Sequence, residues 1–555
     1  MPTCKDSWSL LTNLSHFQVE LETLIPQDKG LDLSPKCRGS VQNKALGNWL
    51  ILLGVSLLGF LPLVGLHHAT WDYGIWVHLF RTGEWEAFRS VFQEAGTPFS
   101  YWVHLPLQWT SDPFPWLVGS SLFFQGISAG LWMEIVSLFY PGRRNLGFFS
   151  GLLFLVLPLN DARWYIPMYQ LYLVLCLFAI WILARRPRSF WSWMAAIPLA
   201  VLSFNLASLI FVWIAFGAVW VWTNEKSSSW RRRAIAFSPF LIAAGGFVIF
   251  KESFWKPTGA YLTYNRPEFS ILAPLYSLAT PALYLLRIAQ VFYDELRAIF
   301  SATALMFVFG LTWLVVKKDK EFPGFQPWAG WFFIAAVAWL TFPYVLVKQL
   351  VHYSRFGPVL MTELFSSRHH FPSLLGMSLL CLWILSQNFL RGRRQIALAL
   401  LIAVGFVHQW SVSIELLKED HKQSEIRRLF RENVDTLTSD LLLIKDETLE
   451  WNAMNRPYNA YDWTVPWVES AKNERMLILT QSADWSPIRA SILSNPTTRL
   501  TSLARQARPC GVRQICALRG PSKPSVIQIF LGLSEHRFEL SCEPPITESC
   551  EETPT

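Results

Sequence analysis

"HHATWDYGIW", residues 67–76, closes the apolar run 47–66 and carries the first acid beyond it, Asp72. An uncharged run of that length is what a helix needs to cross a bilayer. Reading it as a span decides the fold class and raises two questions: how many spans follow, and on which side Asp72 emerges.

Composition points the same way. The 555 residues are 52% hydrophobic and only 16% charged, against roughly a quarter charged in soluble domains. The 28 Trp and 41 Phe suit a chain with many membrane–water interfaces, where amphipathic rings settle. The formal charge of +8 lies in short clusters rather than one basic patch, which argues against nucleic acid as a partner and for topology signals. The first 45 residues are polar and contain no signal-peptide pattern.

Further apolar runs occupy 115–140, 146–160, 165–184, 189–204, 206–222, 234–250, 299–316, 328–349, 371–390 and 395–412. Between them fall "PGRRN" (141–145), "RRPR" (185–188), "RRR" (231–233), "KKDK" (317–320) and "RGRR" (391–394). The positive-inside rule assigns each cluster to the cytoplasm. Two crossings then separate successive clusters, which the eleven runs supply. The expectation is a cytoplasmic segment 1–45, a membrane domain 46–412 with external loops 67–114 and 350–370, and an extracytoplasmic domain 413–555. Residues 271–290, "ILAPLYSLATPALYLLRIAQ", hold Pro274 and Pro281 and read as an interfacial or re-entrant pair of short helices. The Pro-broken stretch 98–112 reads as interfacial too.

Beyond residue 413 a charged helical stretch, "ELLKEDHKQSEIRRLFRENVDTL", gives way to short apolar strands such as "RMLILT" and "SVIQIFLGL" between Pro- and Asn-rich turns. This predicts a small α+β domain. Cys510, Cys516, Cys542 and Cys550 all fall in it. An even set on an oxidising face reads as two disulfides, Cys510–Cys516 with Cys542–Cys550 being the simplest of three pairings. The absence of a usable N-x-S/T acceptor there favours a bacterial inner membrane over an ER membrane. The aromatic stretch "YNAYDWTVPW" (458–467) suits either carbohydrate stacking or a seam against the membrane.

The external loops hold the chemistry. Asp72 heads the first, whose continuation "YGIWVHLFRTGEWEAFRSVFQEAG" suits a helix lying flat on the membrane. The loop between the third and fourth spans, "LNDARWYIP", places Asp161 at the surface, followed by Arg163. An interfacial carboxylate can deprotonate or orient a hydroxyl, and burial would raise its pKa toward useful values. Cationic groups for an anionic leaving group lie in 350–370 as Arg355, Arg368 and His369, with Lys256 and Arg266 behind them in 251–270. Arg suits this task because its guanidinium makes planar two-point contacts with phosphate.

With its cytoplasmic N-terminus, an acid directly after the first span, flat helices in the first external loop and a second acid between spans three and four, the chain resembles the GT-C superfamily of integral-membrane glycosyltransferases. The resemblance implies an inverting transfer of a sugar from a polyprenyl-phosphate donor to an envelope glycan, lipid or protein, with Asp72 and Asp161 as catalytic acids. It does not settle a cofactor. Asp72 lacks the second acid of a D-D or D-E pair and Asp161 follows Asn160, so a divalent metal is allowed but not required. The rival readings are an O-antigen polymerase or ligase, expected to carry a large Arg-rich late loop, and a transporter, expected to bury charges within its spans.

Overall fold

The computed structural model describes residues 35–68, 83, 85–110, 113–141, 143–164, 167–187, 189–225, 229–258, 271–317, 325–347, 351–354, 357–360, 366–390, 392–437, 441–456, 458, 460–471, 477–480, 512–522 and 537–547. Among the described residues up to 437, the regular elements are helices apart from one short hairpin. Helix α1 (Pro35–Gly59) ends in a 3-10 turn, Leu61–Gly65, and α2 (Trp85–Glu94) precedes a 3-10 segment, Pro98–Trp109. Then come α3 (Pro113–Phe139), α4 (Arg144–Val156), α5 (Pro167–Arg185), α6 (Phe190–Ser203), α7 (Leu209–Asn224), α8 (Trp230–Phe254), α9 (Ala273–Arg297), α10 (Ile299–Val316) and α11 (Ala329–Leu346). The hairpin β1 (Val351–Ser354) and β2 (Gly357–Leu360) lies within the expected loop 350–370, ahead of α12 (Ser373–Ser386) and α13 (Arg394–Glu432).

Among the described residues, six helices, α3, α5, α8, α9, α11 and α13, are long and apolar enough to cross a membrane, and six further apolar helices are shorter. Most carry apolar residues on every side, as lipid-facing and bundle-facing surfaces both require. Helix α2 is the exception: it buries Phe88, Val91 and Phe92 and leaves Glu86 and Arg89 exposed, the pattern of a helix lying on a surface.

Close approach within the bundle uses glycine. A side chain at Gly151 of α4 would meet the Ala129 carbonyl of α3, and one at Gly405 of α13 would overlap the Val156 carbonyl at the end of α4. Small residues at such crossings let backbones touch.

The stretch 271–290 is not a pair of short helices. Helix α9 runs unbroken for 25 residues through Pro281. Proline removes one intrahelical bond there, but in an apolar bundle neighbours can compensate. Beside it Ser277 Oγ reaches the Ala338 carbonyl of α11 and lies 3.2 Å from Thr341 Oγ1. Further along, Tyr284 meets His370 and Ser373, Arg287 meets Asp161, and Glu295 meets His408. Helix α9 therefore tracks from the C-terminal end of α11 past the N-terminal end of α12 to α13.

Helix α13 is one 39-residue rod. Its first half is apolar, and its second is the charged stretch anticipated from the sequence. The second half packs on a five-stranded mixed sheet through Ile426, Leu429 and Phe430. Strand β3 (Leu441–Asp446) is followed by α14 (Ala460–Ala471) and then β4 (Leu477–Thr480), which lies parallel to it; β5 (Val512–Arg519), parallel to β3 on its other side, pairs antiparallel with β6 (Glu539–Cys542) and β7 (Ile546–Thr547). A parallel pair joined through a helix needs such a crossover. The chain is thus an all-α polytopic membrane bundle with a small C-terminal α+β unit.

The simplest disulfide pairing is incorrect. Cys516 bonds to Cys542, its register partner across β5 and β6. The strand pairing brings together two cysteines 26 residues apart, whereas a pairing guessed from spacing favours the nearest neighbour. Cys510 and Cys550 lie outside the described residues, as does "SVIQIFLGL". In "YNAYDWTVPW", Tyr458, Trp463 and Trp467 are all fully buried core of this unit, so their rings present no face to a sugar.

Candidate functional site

Helix α4 stops at Val156 because Leu157 precedes Pro158, which disfavours helical geometry, and Leu157 is extended. The turn that follows is held by Arg163. Its Nε donates to the Asn160 carbonyl at 2.5 Å, one terminal nitrogen to the Leu157 carbonyl at 2.5 Å and the other to the Leu155 carbonyl. A cation bonding the last carbonyls of a helix satisfies them and suits its dipole. Gln409 of α13 also donates to the Leu155 carbonyl, at 2.6 Å.

With Arg163 committed to carbonyls, Asp161 turns elsewhere. Its carboxylate lies 3.1 Å from His408 Nε2 on α13 and 3.7 Å from the Arg287 guanidinium on α9. His408 Nδ1 is 3.1 Å from Glu295 of α9, whose second oxygen accepts from Ser411 Oγ at 2.8 Å. The approach allowed by Gly405 sets this geometry, since His408 lies one turn further along α13. The backbone amides of Asp161 and Ala162 both donate to Ser367 Oγ, at 2.9 and 3.0 Å. Ser367 belongs to the 3-10 turn Ser366–His370, so this turn is docked on the Asp161 loop.

Two sequence candidates, Arg368 and His369, are buried in that same turn. The His369 ring lies 4.8 Å from that of Tyr344, and its buried Nδ1 has no hydrogen-bond partner among the described residues. Burial, together with the charges of Arg368 and His370, lowers its pKa well below the ordinary histidine value. Lys256 sits in a different neighbourhood, exposed beyond α8, where the chain meets the end of α2 through Thr258 N and the Glu94 carbonyl. Asp72, Arg355 and Arg266 lie outside the described residues. The approach to Asp72 is described as far as His68: both the His67 and His68 amides donate to Asp420 Oδ1 on α13, at 3.0 and 2.7 Å.

The electrostatics of Asp161 differ from the expectation. Burial pushes its carboxyl up, but His408, Arg287 and Arg163 outweigh burial and bring it down to about 2. A carboxylate so held is a poor proton acceptor near neutral pH, though it can orient a group or balance positive charge. Among the described residues, no group of three His, Cys, Asp or Glu side chains is arranged to hold a metal ion.

The sequence reading missed Arg287, Glu295 and His408. The signal was present: each is an ionisable residue in or beside an apolar run, where such groups are costly without partners.

No family model matches the chain, and no curated protein matches it. Among solved structures, the crystal structure of ArnT from Cupriavidus metallidurans bound to undecaprenyl phosphate aligns over 89% of this chain and 97% of its own, at 12% identity and a TM-score of 0.37. A score that low carries no argument about function.

Proposed function

We propose that the chain is a membrane glycosyltransferase of the GT-C type, moving a sugar from a polyprenyl-phosphate donor to an envelope glycan, lipid or protein. One observation carries this reading. At one end of an apolar bundle, the buried Asp161 carboxylate meets Arg287 and His408, and the turn that carries the buried Arg368 and His369 docks on the Asp161 loop through Ser367. His408 lies 14 residues into α13, roughly 21 Å along its axis of an apolar thickness of about 30 Å. That depth leaves His408 about 9 Å inside the far interface, close enough for the segments it ties together to meet a lipid-linked phosphate there.

On this reading the basic clusters face the cytoplasm, α9 lies along the opposite face without crossing, and residues 413–555 form an extracytoplasmic domain in a bacterial inner membrane. Asp72 is the acid that activates or orients the acceptor hydroxyl. Asp161 fixes and neutralises the cations around the donor phosphate, Arg368, with Arg355 and Arg266, supplies positive charge to the leaving group, and His369, left uncharged by burial, offers it a hydrogen bond. Inversion at the sugar carbon follows from a single displacement.

The test is release of free polyprenyl phosphate by the purified protein, offered a panel of polyprenyl-phosphate sugars with envelope extract as acceptor. Release above a protein-free control supports the reading, and no release with any donor sinks it. The buried Glu295–His408 pair also favours a second reading, a proton-coupled transporter, since relays of this composition occur in pumps. Substrate flux into proteoliposomes without donor cleavage is the outcome that selects it.

A further inference from the structure

The imidazole of His408 stands between two carboxylates, with Nε2 3.1 Å from Asp161 Oδ1 and Nδ1 3.1 Å from Glu295 Oε1. Neutral imidazole has one N–H and one lone pair. In either tautomer it would aim that lone pair at a carboxylate oxygen inside a buried site, and ring rotation offers no relief because both nitrogens already face oxygen. Protonating a carboxyl instead would also satisfy the geometry. The partners of the outer oxygens oppose that: Arg287 stands beside Asp161 Oδ2, and Ser411 donates to Glu295 Oε2. The charged groups around the ring are Asp161 from the turn after α4, Glu295 and Arg287 from α9, and Arg163 beyond Asp161. Among the described residues, His408 is the one cation placed to bond both acids.

We propose that Glu295 and His408 are positioning residues of this site: a doubly protonated His408 ties α9 and α13 to the Asp161 turn, keeps Asp161 ionised and fixes where its carboxylate points. This rests on the transferase reading for its functional consequence but not for its protonation state. Neither residue needs to touch substrate. They act because misplacing a site group by about 1 Å can cost on the order of a hundredfold in rate.

The experiment uses the full-length protein in detergent, labelled with ¹⁵N-histidine, with His408→Asn identifying the signal. At pH 7.5 both ring nitrogens of His408 are expected to be protonated, and Glu295→Leu should remove that signature. A single neutral tautomer in the wild type overturns the proposal whatever the activity. Kinetically, Glu295→Leu is expected to lower kcat roughly a hundredfold, with donor KM within about twofold. Glu295→Gln, which keeps an acceptor oxygen, should recover most of it and guards against a folding defect in the Leu variant. Wild-type kcat in Glu295→Leu, in a preparation where Asp161→Asn is inactive, overturns the positioning role. If Asp161→Asn is itself fully active, the site assignment fails instead, and the nitrogen signals still decide the protonation of His408.

Discussion

Two buried ion networks lie along α13, and they differ in how tightly their central cations are held. In the C-terminal unit, Lys422 Nζ contacts Asp446 at 2.7 and 2.9 Å, Asn452 Oδ1 at 2.6 Å and the Thr448 carbonyl at 3.1 Å, and sits 4.7 Å above the Tyr458 ring. Beside it Arg456 bridges Glu419 and Asp462, at 3.1 and 2.8 Å, while the Ala453 amide donates to Glu419. An ammonium has three donors, so Lys422 has nothing left to offer a ligand. Around Asp161 the packing of charge is looser. Among the described residues the one ion pair of Arg287 is 3.7 Å long, and His369 Nδ1 is unmet. A fully engaged ammonium holds a domain together, whereas on the transferase reading the loosely held Arg287 is the cation with capacity to turn toward a substrate.

The sharpest way to test that distinction is at the acid the site reading needs most. Asp72→Asn should lower transfer about a hundredfold to ten-thousandfold, as loss of a general base does. Its melting temperature and protein level should stay at wild type. Normal activity at normal protein level would remove Asp72 from the catalytic role and leave the fold untouched.

Lys422→Met should behave in the opposite way. Breaking a buried pair leaves Asp446 uncompensated and costs about 3–5 kcal/mol, read as an earlier unfolding transition of the C-terminal unit. Activity per folded molecule should change little. Wild-type stability in this variant would show that the Lys422 contacts are not the scaffold.

Cys516→Ser removes a bond closing a loop of 26 residues, worth roughly 3.5 kcal/mol on a chain-entropy basis. The loss should appear as a lower melting temperature, and non-reducing peptide mapping of the wild type should recover a Cys516–Cys542 peptide. Recovery of Cys510–Cys516 instead would break the β5–β6 register.

The smallest effect at physiological pH is in acid titration, where the networks have opposite signs. Asp161 is lowered from 3.8 to about 2 because His408 and Arg287 outweigh burial. Its ionisation therefore contributes stability that is complete above pH 3.8 and is lost as pH falls through about 2. Burial raises Glu419 above 4.5 despite Arg456, so its contribution is present below pH 4.5 and lost as pH rises through the raised value. Thermal melts from pH 7 to 2 should lose the first dependence in Asp161→Asn and the second in Glu419→Gln. Unchanged profiles in both variants would remove the electrostatic contrast.

Much of the architecture was legible in the residues. Eleven apolar runs each coincide with a helix, and the charged stretch after 413 continues α13 as helix. The turn that carries Arg368 and His369 docks on the Asp161 loop through Ser367, which loop composition alone does not show. What failed did so for definable reasons. Pro281 looked like a break, but the neighbouring α11 supports the helix around it. The cysteines were paired by spacing, but strand register pairs them across the sheet. Tyr458, Trp463 and Trp467 looked like a surface and are core, because aromatic density does not reveal which face of a helix meets the sheet.

The sequence by itself determined where the chain can cross lipid and which segments are polar, since bilayer thickness and charge act on consecutive residues and need no knowledge of distant ones. Only the tertiary structure decided the partners. Asp161 and His408 are 247 residues apart, and His408 and Glu295 are 113 apart. Each reads in sequence as a lone ionisable group with a desolvation penalty. The close approach of α13 to α4 at Gly405 turns them into a bonded set, because the compensating charge is supplied by segments that meet only when the bundle is packed.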